Sequence, residues 1–430
     1  MADKDAPKKA QDDDAVKKET TTLGVKELPD DPKDSKDAKG TAPANDGLAA
    51  SGAQTPHKRR RLSVLDFKDL PPWKRAVTIK WAVALIVVGV VFLTMACVTM
   101  RNSALTNRSK WWDPNEEWVQ TYNKRAESLA DQYGATHVKT GTYVENIRSV
   151  DIKNWKTNVT LLVWFRWDGA DDLDMVDNFN IYRGIIQTKD ILSETHENGV
   201  NYQLVRVNVD VNNQLGTALF PVDTQQVRIF VESEYKAERV ILDPDVENST
   251  VNSSLSIAGY EITNTEWGEA AHVYNSSQGD PTVTSAPVTS EFVTALTFRR
   301  NGLGLYFKCF IAMYGTTLWV LIMLYICGHH RVDPLGMIPG ALFGTVSNIM
   351  VGAALLPDAL DMGLLEFVNV WGILTILATA VVIIQVNNIR SQYGRKDEPF
   401  AGFIGRVMFY IIAVIAIAGN ILLPAFAMSV

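Results

Sequence analysis

The chain has 430 residues, 47% of them hydrophobic, and a formal net charge of −7. Its 3 cysteines, Cys97, Cys309 and Cys327, all fall in apolar stretches, which excludes an extramembrane disulfide within one chain and a cysteine-based zinc site. There is no nucleotide-cradling glycine loop, no HExxH and no GxSxG, so no motif points to an enzyme, and the sequence implies neither a cofactor nor a metal centre.

Residues 1–72 are rich in Lys, Asp, Ala, Thr, Pro and Gly and almost free of aromatics before Phe67. Such a segment buries too little apolar surface to offset its ordering entropy, so a disordered tail is expected. The basic run 57–61 stands just before the first charge-free apolar window, 81–100, where it suits anionic lipid better than nucleic acid. That window lies too deep in the chain for a cleavable signal and predicts an anchor helix over 73–100. Four more windows, 309–327, 335–356, 367–386 and 407–428, are apolar enough to cross a bilayer. Basic residues concentrate at one end of the spans: Lys74 and Arg75, His329 to Arg331, and Arg390, Arg395, Lys396 and Arg406. Loop 357–363 has none. The bias predicts a cytoplasmic N-terminus, with residues 101–302 and the C-terminus outside, in a plasma membrane or a bacterial inner membrane.

Residues 101–135 predict a linker and a helix. Over 111–133, Trp118, Tyr122, Ala126 and Leu129 recur at helical spacing and predict its packing face, while Trp111 and Trp112 read as a membrane-interface anchor. From 136 to 302 the period changes to two. Strands are predicted at 138–152, 159–167, 181–186, 202–211, 226–233, 240–242, 255–274 with breaks, and 291–299. The fold class is therefore membrane α+β: an external antiparallel β-sandwich, then a four-helix bundle over 303–430, plus the N-terminal anchor. The acidic run Asp168, Asp171, Asp172, Asp174 and Asp177 lacks EF-hand spacing and reads as a solvated turn.

Two stretches resemble a known family. The run Phe220-Pro-Val-Asp-Thr-Gln225 between two strands is similar to the loop motif of pentameric ligand-gated ion channels, the Cys-loop receptor superfamily. A β-rich domain leading through the basic pair Arg299-Arg300 into four spans, with Leu356-Pro357 closing the second of them, resembles the same family. Trp164-Phe-Arg-Trp167, Ser256 to Ile262 and Trp319 are smaller echoes. The loop lacks its flanking cysteines and the cytoplasmic loop 387–406 is short, as in prokaryotic members, whereas the span 81–100 and the absence of a proline in 309–327 depart from the usual plan.

The resemblance implies a homopentamer in the lipid bilayer that passes inorganic ions in response to an unknown small ligand or protons. It implies that Asp223 pairs with Arg299 or Arg300, and that the loop holding Phe220, Pro221, Asp223 and Gln225 presses on the segment after Leu356 and Pro357. It also implies ligand capture by aromatics, for which Tyr260, Trp267 and Tyr274 are candidates. Matching Leu356-Pro357 to the family gives the same stripe as helical spacing from Asp333: Gly336, Gly340, Phe343, Ser347, Met350 and Ala354. In a pentamer Phe343 would ring an apolar constriction and Asp333 a cation-favouring mouth. Two alternatives stay open, ordinary helix packing for Phe343 and a helix-start acid for Asp333. Pro339 is expected to perturb the helix within the pore. The rival reading is a non-conducting receptor or scaffold on the same fold.

Overall fold

A computed structural model describes residues 64–430 apart from 170–171, 278, 280–285, 331, 358–361 and 393. The basic run 57–61, most of the predicted tail, Asp171, Arg331 and the middle of loop 357–363 lie outside the described residues. Six helices are described: α1 (Pro72–Arg108), α2 (Glu117–Tyr133), α3 (Gly304–His330), α4 (Ile338–Leu355), α5 (Leu364–Gln392) and α6 (Gly394–Ser429). All but α2 belong to segments long and apolar enough to cross a membrane, which makes this a multi-pass membrane protein. Their ends outrun the apolar windows: α1, at 37 residues, rises about 55 Å, beyond the ~30 Å of a hydrocarbon core. Its start is set by Pro72, whose fixed φ and missing N–H suit a first turn.

The helices pack through small residues, because lipid offers no hydrophobic drive and close backbone approach supplies the contact. The indole of Trp371 on α5 fills a slot formed by Gly89 on α1 and Gly419 on α6. A side chain at 419 would begin 2.2 Å from that ring. Trp371 Nε1 donates to the Ala416 carbonyl (3.3 Å), and Phe92 of α1 stacks on the ring at 5.5 Å. At the other end of the bundle Arg390 donates to the Cys327 carbonyl (2.6 Å), a cation on the last-turn carbonyls of α3. Among the principal contacts α4 touches α3 and α5, whereas α1 touches α6 and the edge of α5.

The described residues of 136–300 form ten strands: β1 (Thr136–Asp151), β2 (Lys156–Asp168), β3 (Phe179–Tyr182), β4 (Gly184–Glu197), β5 (Val200–Asn212), β6 (Thr224–Lys236), β7 (Val240–Pro244), β8 (Thr250–Val251), β9 (Tyr260–Val273) and β10 (Val288–Arg300). One sheet runs β4-β5-β2-β1-β7 with β8 on β1; the other runs β3-β6-β10-β9. The ladders are antiparallel except that β7 and β8 pair parallel to β1, which corrects the all-antiparallel expectation. Alternation drives the packing. Val159, Leu161, Val163 and Phe165 of β2 and Val205, Val207 and Val209 of β5 enter one apolar cluster with Val227, Phe292, Leu296 and Phe298 of the other sheet. A hydroxyl bond between Thr142 and Thr294 (2.7 Å) crosses the same space. The domain is thus sandwich-like.

Three local expectations change. The strand predicted over 181–186 is two strands in different sheets, broken at Arg183, whose φ is 56°. Gly184 follows because a Cβ there would meet Ile181 Cγ2 at 2.7 Å. Of the predicted face of α2, Ala126 is buried and Leu129 half-buried, beside Val119 and Ala130, whereas Trp118 and Tyr122 are exposed and pack edge to face on each other. Trp112 is not a membrane anchor. It is 2% exposed, lies on Gly268 of β9, and its backbone N–H and C=O both bond the Gln226 side chain (2.9 and 3.2 Å). That corner docks α2 on the outer face of the four-stranded sheet.

Trp112→Ala is therefore expected to cost about 3–5 kcal/mol of stability and to raise amide exchange across α2. Unchanged melting temperature and protection over 117–133 would contradict this docking.

Candidate functional site

The connection from β5 to β6 meets the membrane end of the β-domain. Asp223 is 2% exposed and ends that connection. Arg300, last residue of β10, donates from Nε to Asp223 Oδ1 (2.6 Å), and its backbone N–H donates to the Asp223 carbonyl (3.2 Å). Gln225 Nε2 donates to Asp223 Oδ2 and to the Gly216 carbonyl (2.5 Å each), while its Oε1 accepts the Gly216 N–H (2.9 Å). The guanidinium of Arg300 also lies over the rings of Phe220 (4.7 Å) and Tyr260 (4.5 Å). Arg299 points to solvent, so of the two predicted partners only Arg300 is used. The Phe220–Pro221 peptide is cis.

This loop reaches the bundle. The Ala218 carbonyl accepts the N–H of Leu364, first residue of α5 (2.8 Å), and a side chain at Gly363 would meet the Thr217 and Ala218 carbonyls at 2.9 Å. Phe220, Leu356 and Leu364 share one buried cluster that continues from the β-domain into the bundle. Leu356 ends α4 in an extended conformation before Pro357. A second contact was not read from the sequence. Lys153, in the turn between β1 and β2, donates to the carbonyls of Ala353 (3.0 Å) and Ala354 (3.4 Å) at the C-terminus of α4, where a cation suits the helix dipole. Asp151 shapes that turn by accepting from Asn154.

Beyond Gly340, where a Cβ would stand 3.6 Å from the Trp319 indole of α3, the predicted stripe on α4 lies away from α3 and α5. Phe343 is 74% and Met350 67% exposed; Gly336, Gly340 and Ala354 are exposed and Ser347 half-buried. The opposite face, Ala341, Thr345, Asn348 and Gly352, is buried. Asn348 donates to Asn369 of α5 (2.6 Å), and a Cβ at Gly344 would meet the Thr316 hydroxyl of α3 at 2.3 Å. Pro339 does not break the helix. It sits in the first turn of α4, after a short 3₁₀ turn Leu335–Met337, where the N–H that proline lacks would have no partner within the helix. Asp333 is exposed and accepts the Leu335 N–H (3.1 Å), so it serves as a helix-start acid.

The three ligand-capture candidates do not converge. Tyr260 and Tyr274 flank opposite ends of β9, roughly 45 Å apart at strand rise. Tyr260 is committed to Arg300, and Trp267 packs toward the inter-sheet core. Tyr274 alone lies beside a polar cluster, formed by Glu232 of β6, His272 of β9 and Glu291 of β10. Among the described residues these are the one group of metal-type side chains whose donor atoms converge, all within 4.8 Å. Burial, then the Glu232 charge, push the Glu291 carboxyl up to about 8, and burial pulls His272 below the usual imidazole value. The described members of the acidic run, Asp168, Asp172, Asp174 and Asp177, make no such cluster. Asp172 pairs with Arg239 (2.9 Å), and Asp174 accepts from Gln203 (3.1 Å).

Asp223→Ala leaves Arg300 buried without its partner and is expected to cost about 3–5 kcal/mol. The double variant with Arg300→Leu should cost less than the two singles summed, and additive losses in denaturant melts would refute a coupled pair. Lys153→Met, at an exposed contact, should stay within about 1 kcal/mol of wild type.

No family model matches the chain, and no curated protein matches it.

Proposed function

We propose that five copies of this chain assemble into a ligand- or proton-gated ion channel whose pore is lined by α4. One observation carries the reading. The β-domain holds the C-terminal end of α4 through Lys153 and the start of α5 through Ala218, while the face of α4 turned away from both neighbours is bare in a single chain. A movement of the β-domain would pass through those two contacts to α4 as a rigid-body shift. Like α1, which presents Val83, Ile86, Val87, Val90 and Val91, the bare face carries aliphatics, Leu342, Val346 and Ile349; what sets it apart from α1 is its row of small residues. Gly336, Gly340, Ser347 and Ala354 suit close packing around an axis, with Phe343 as the constriction. Asp333 at the opposite end from Lys153 supports a preference for cations.

In this arrangement the bundle proper is α3 to α6, and α1 is an anchor outside it. The N-terminus and the end of α3 holding His329 and His330 face the cytoplasm, and the β-domain and C-terminus lie outside, in a plasma or bacterial inner membrane. A non-conducting receptor or scaffold is the second reading. It is favoured by the low polarity of the stripe, in which Ser347 is the one hydroxyl among Gly336, Gly340, Phe343, Ser347, Met350 and Ala354.

Purified protein in liposomes is expected to pass cations, and Phe343→Ser to raise the basal flux by tenfold or more. Absence of flux in both proteins, under varied pH and Ca²⁺, would refute conduction, and cross-linking that yields only monomers would refute the pentamer. Lys153→Met is expected to retain assembly and lose gated flux.

A further inference from the structure

Three metal-type side chains meet on the outer face of the four-stranded sheet. Glu232 and Glu291 are directly opposite each other in the β6–β10 ladder, and His272 is contributed by the neighbouring strand β9 opposite Thr289. Alternation along the strands puts all three on one face. Both carboxylates are buried. Two buried acids side by side repel unless a positive charge or a proton sits between them. Arg183 is near, but among the described contacts it lies over the Tyr182 ring (5.2 Å) and forms no ion pair with either acid.

The second observation is an orphaned atom. Glu291 is 4% exposed, and its Oε1 is enclosed with no hydrogen-bond partner. A buried acceptor left unsatisfied costs about 1–3 kcal/mol, so such atoms are rare without a reason. That same oxygen is the one facing His272, with Nδ1 3.9 Å away. The gap is too long for a hydrogen bond; two donors each about 2.1 Å from one tetrahedral ion stand ~3.4 Å apart, so His272 and Glu291 reach a shared ion by closing roughly half an ångström. Glu232 is meanwhile held in place. Tyr274 and Thr289 both donate their hydroxyls to its Oε1 (2.9 and 2.6 Å), leaving the other oxygen for a ligand. Hydroxyl partners of this kind orient metal-binding carboxylates. The rings of Tyr182 and Tyr274 flank His272 at 4.5 and 4.4 Å and fix its plane.

We propose that Glu232, His272 and Glu291 bind a divalent transition-metal ion of the zinc class, joining β6, β9 and β10. One imidazole and two carboxylates match zinc and its neighbours, whereas Ca²⁺ and Mg²⁺ take oxygen-only sets. Three protein donors leave a tetrahedral ion one open position, for water or a small ligand. The site lies within one chain and requires neither a second copy nor conduction. Its failure is therefore distinct from failure of the channel reading.

The test is calorimetric titration of EDTA-stripped full-length protein in detergent with zinc chloride, alongside calcium and magnesium chloride. The expected result is one zinc per chain, bound at least tenfold more tightly than calcium or magnesium. Glu291→Gln, close in shape, and His272→Ala should each weaken zinc at least tenfold while leaving the metal-free melting temperature near wild type. Cobalt chloride should give visible absorption bands in the wild type that both variants lose. If a variant fails to fold, loss of the cobalt bands in the other decides. Absence of stoichiometric zinc binding, or wild-type affinity and cobalt bands in the folded variants, would overturn the proposal.

Discussion

The buried pair of Asp223 and Arg300 fixes how the two halves of the described protein meet. Taking both charges out of water is costly, and here the cost is offset on every side: Gln225 on the second carboxylate oxygen, the Arg300 backbone N–H on the Asp223 carbonyl, and the Phe220 and Tyr260 rings around the guanidinium. Arg300 ends β10 and α3 begins at Gly304, so the pair sets where the first bundle helix leaves the β-domain. It also holds the loop whose Ala218 carbonyl meets α5. The β-domain is held on the helices by this pair together with the Ala218–Leu364 hydrogen bond and the Lys153 contacts at the end of α4.

Much of the architecture was legible in one dimension. Charge-free windows marked the five spans, because a bilayer core tolerates few charges, and period-two alternation marked most of the strands. The Phe220–Gln225 run located the junction. Parity would also have chosen between the two arginines: Arg300 continues the inward series Leu296, Phe298, while Arg299 falls on the exposed side. Other features depend on partners distant in sequence. Trp112 reads as an interface anchor until Gly268 is seen to leave room for it, and Pro339 reads as a kink until the helix is seen to start beside it. Glu232, His272 and Glu291 come from three strands, and only the pairing register joins them.

The two clusters lie toward opposite ends of the β-domain. β10 connects them, with Glu291 near its start and Arg300 at its end, and β6 does so in reverse, from Thr224 to Glu232 and beyond. In the proposed assembly a ligand event near Tyr274 and Glu291 would have a continuous two-strand path to the junction. From there Ala218 and Lys153 meet α5 and α4.

The central claim is that the bare face of α4 looks onto water and onto other copies, and that the bare face of α1 looks onto lipid. Substituted cysteines test it directly. In a background without Cys97, Cys309 and Cys327, Phe343→Cys, Met350→Cys and Val91→Cys are compared in liposomes for reaction with a charged, water-soluble thiol reagent and for oxidative cross-linking between chains. The account predicts that positions 343 and 350 are labelled and cross-linked and position 91 is neither. Equal inertness of all three, with no cross-linked species, would contradict it.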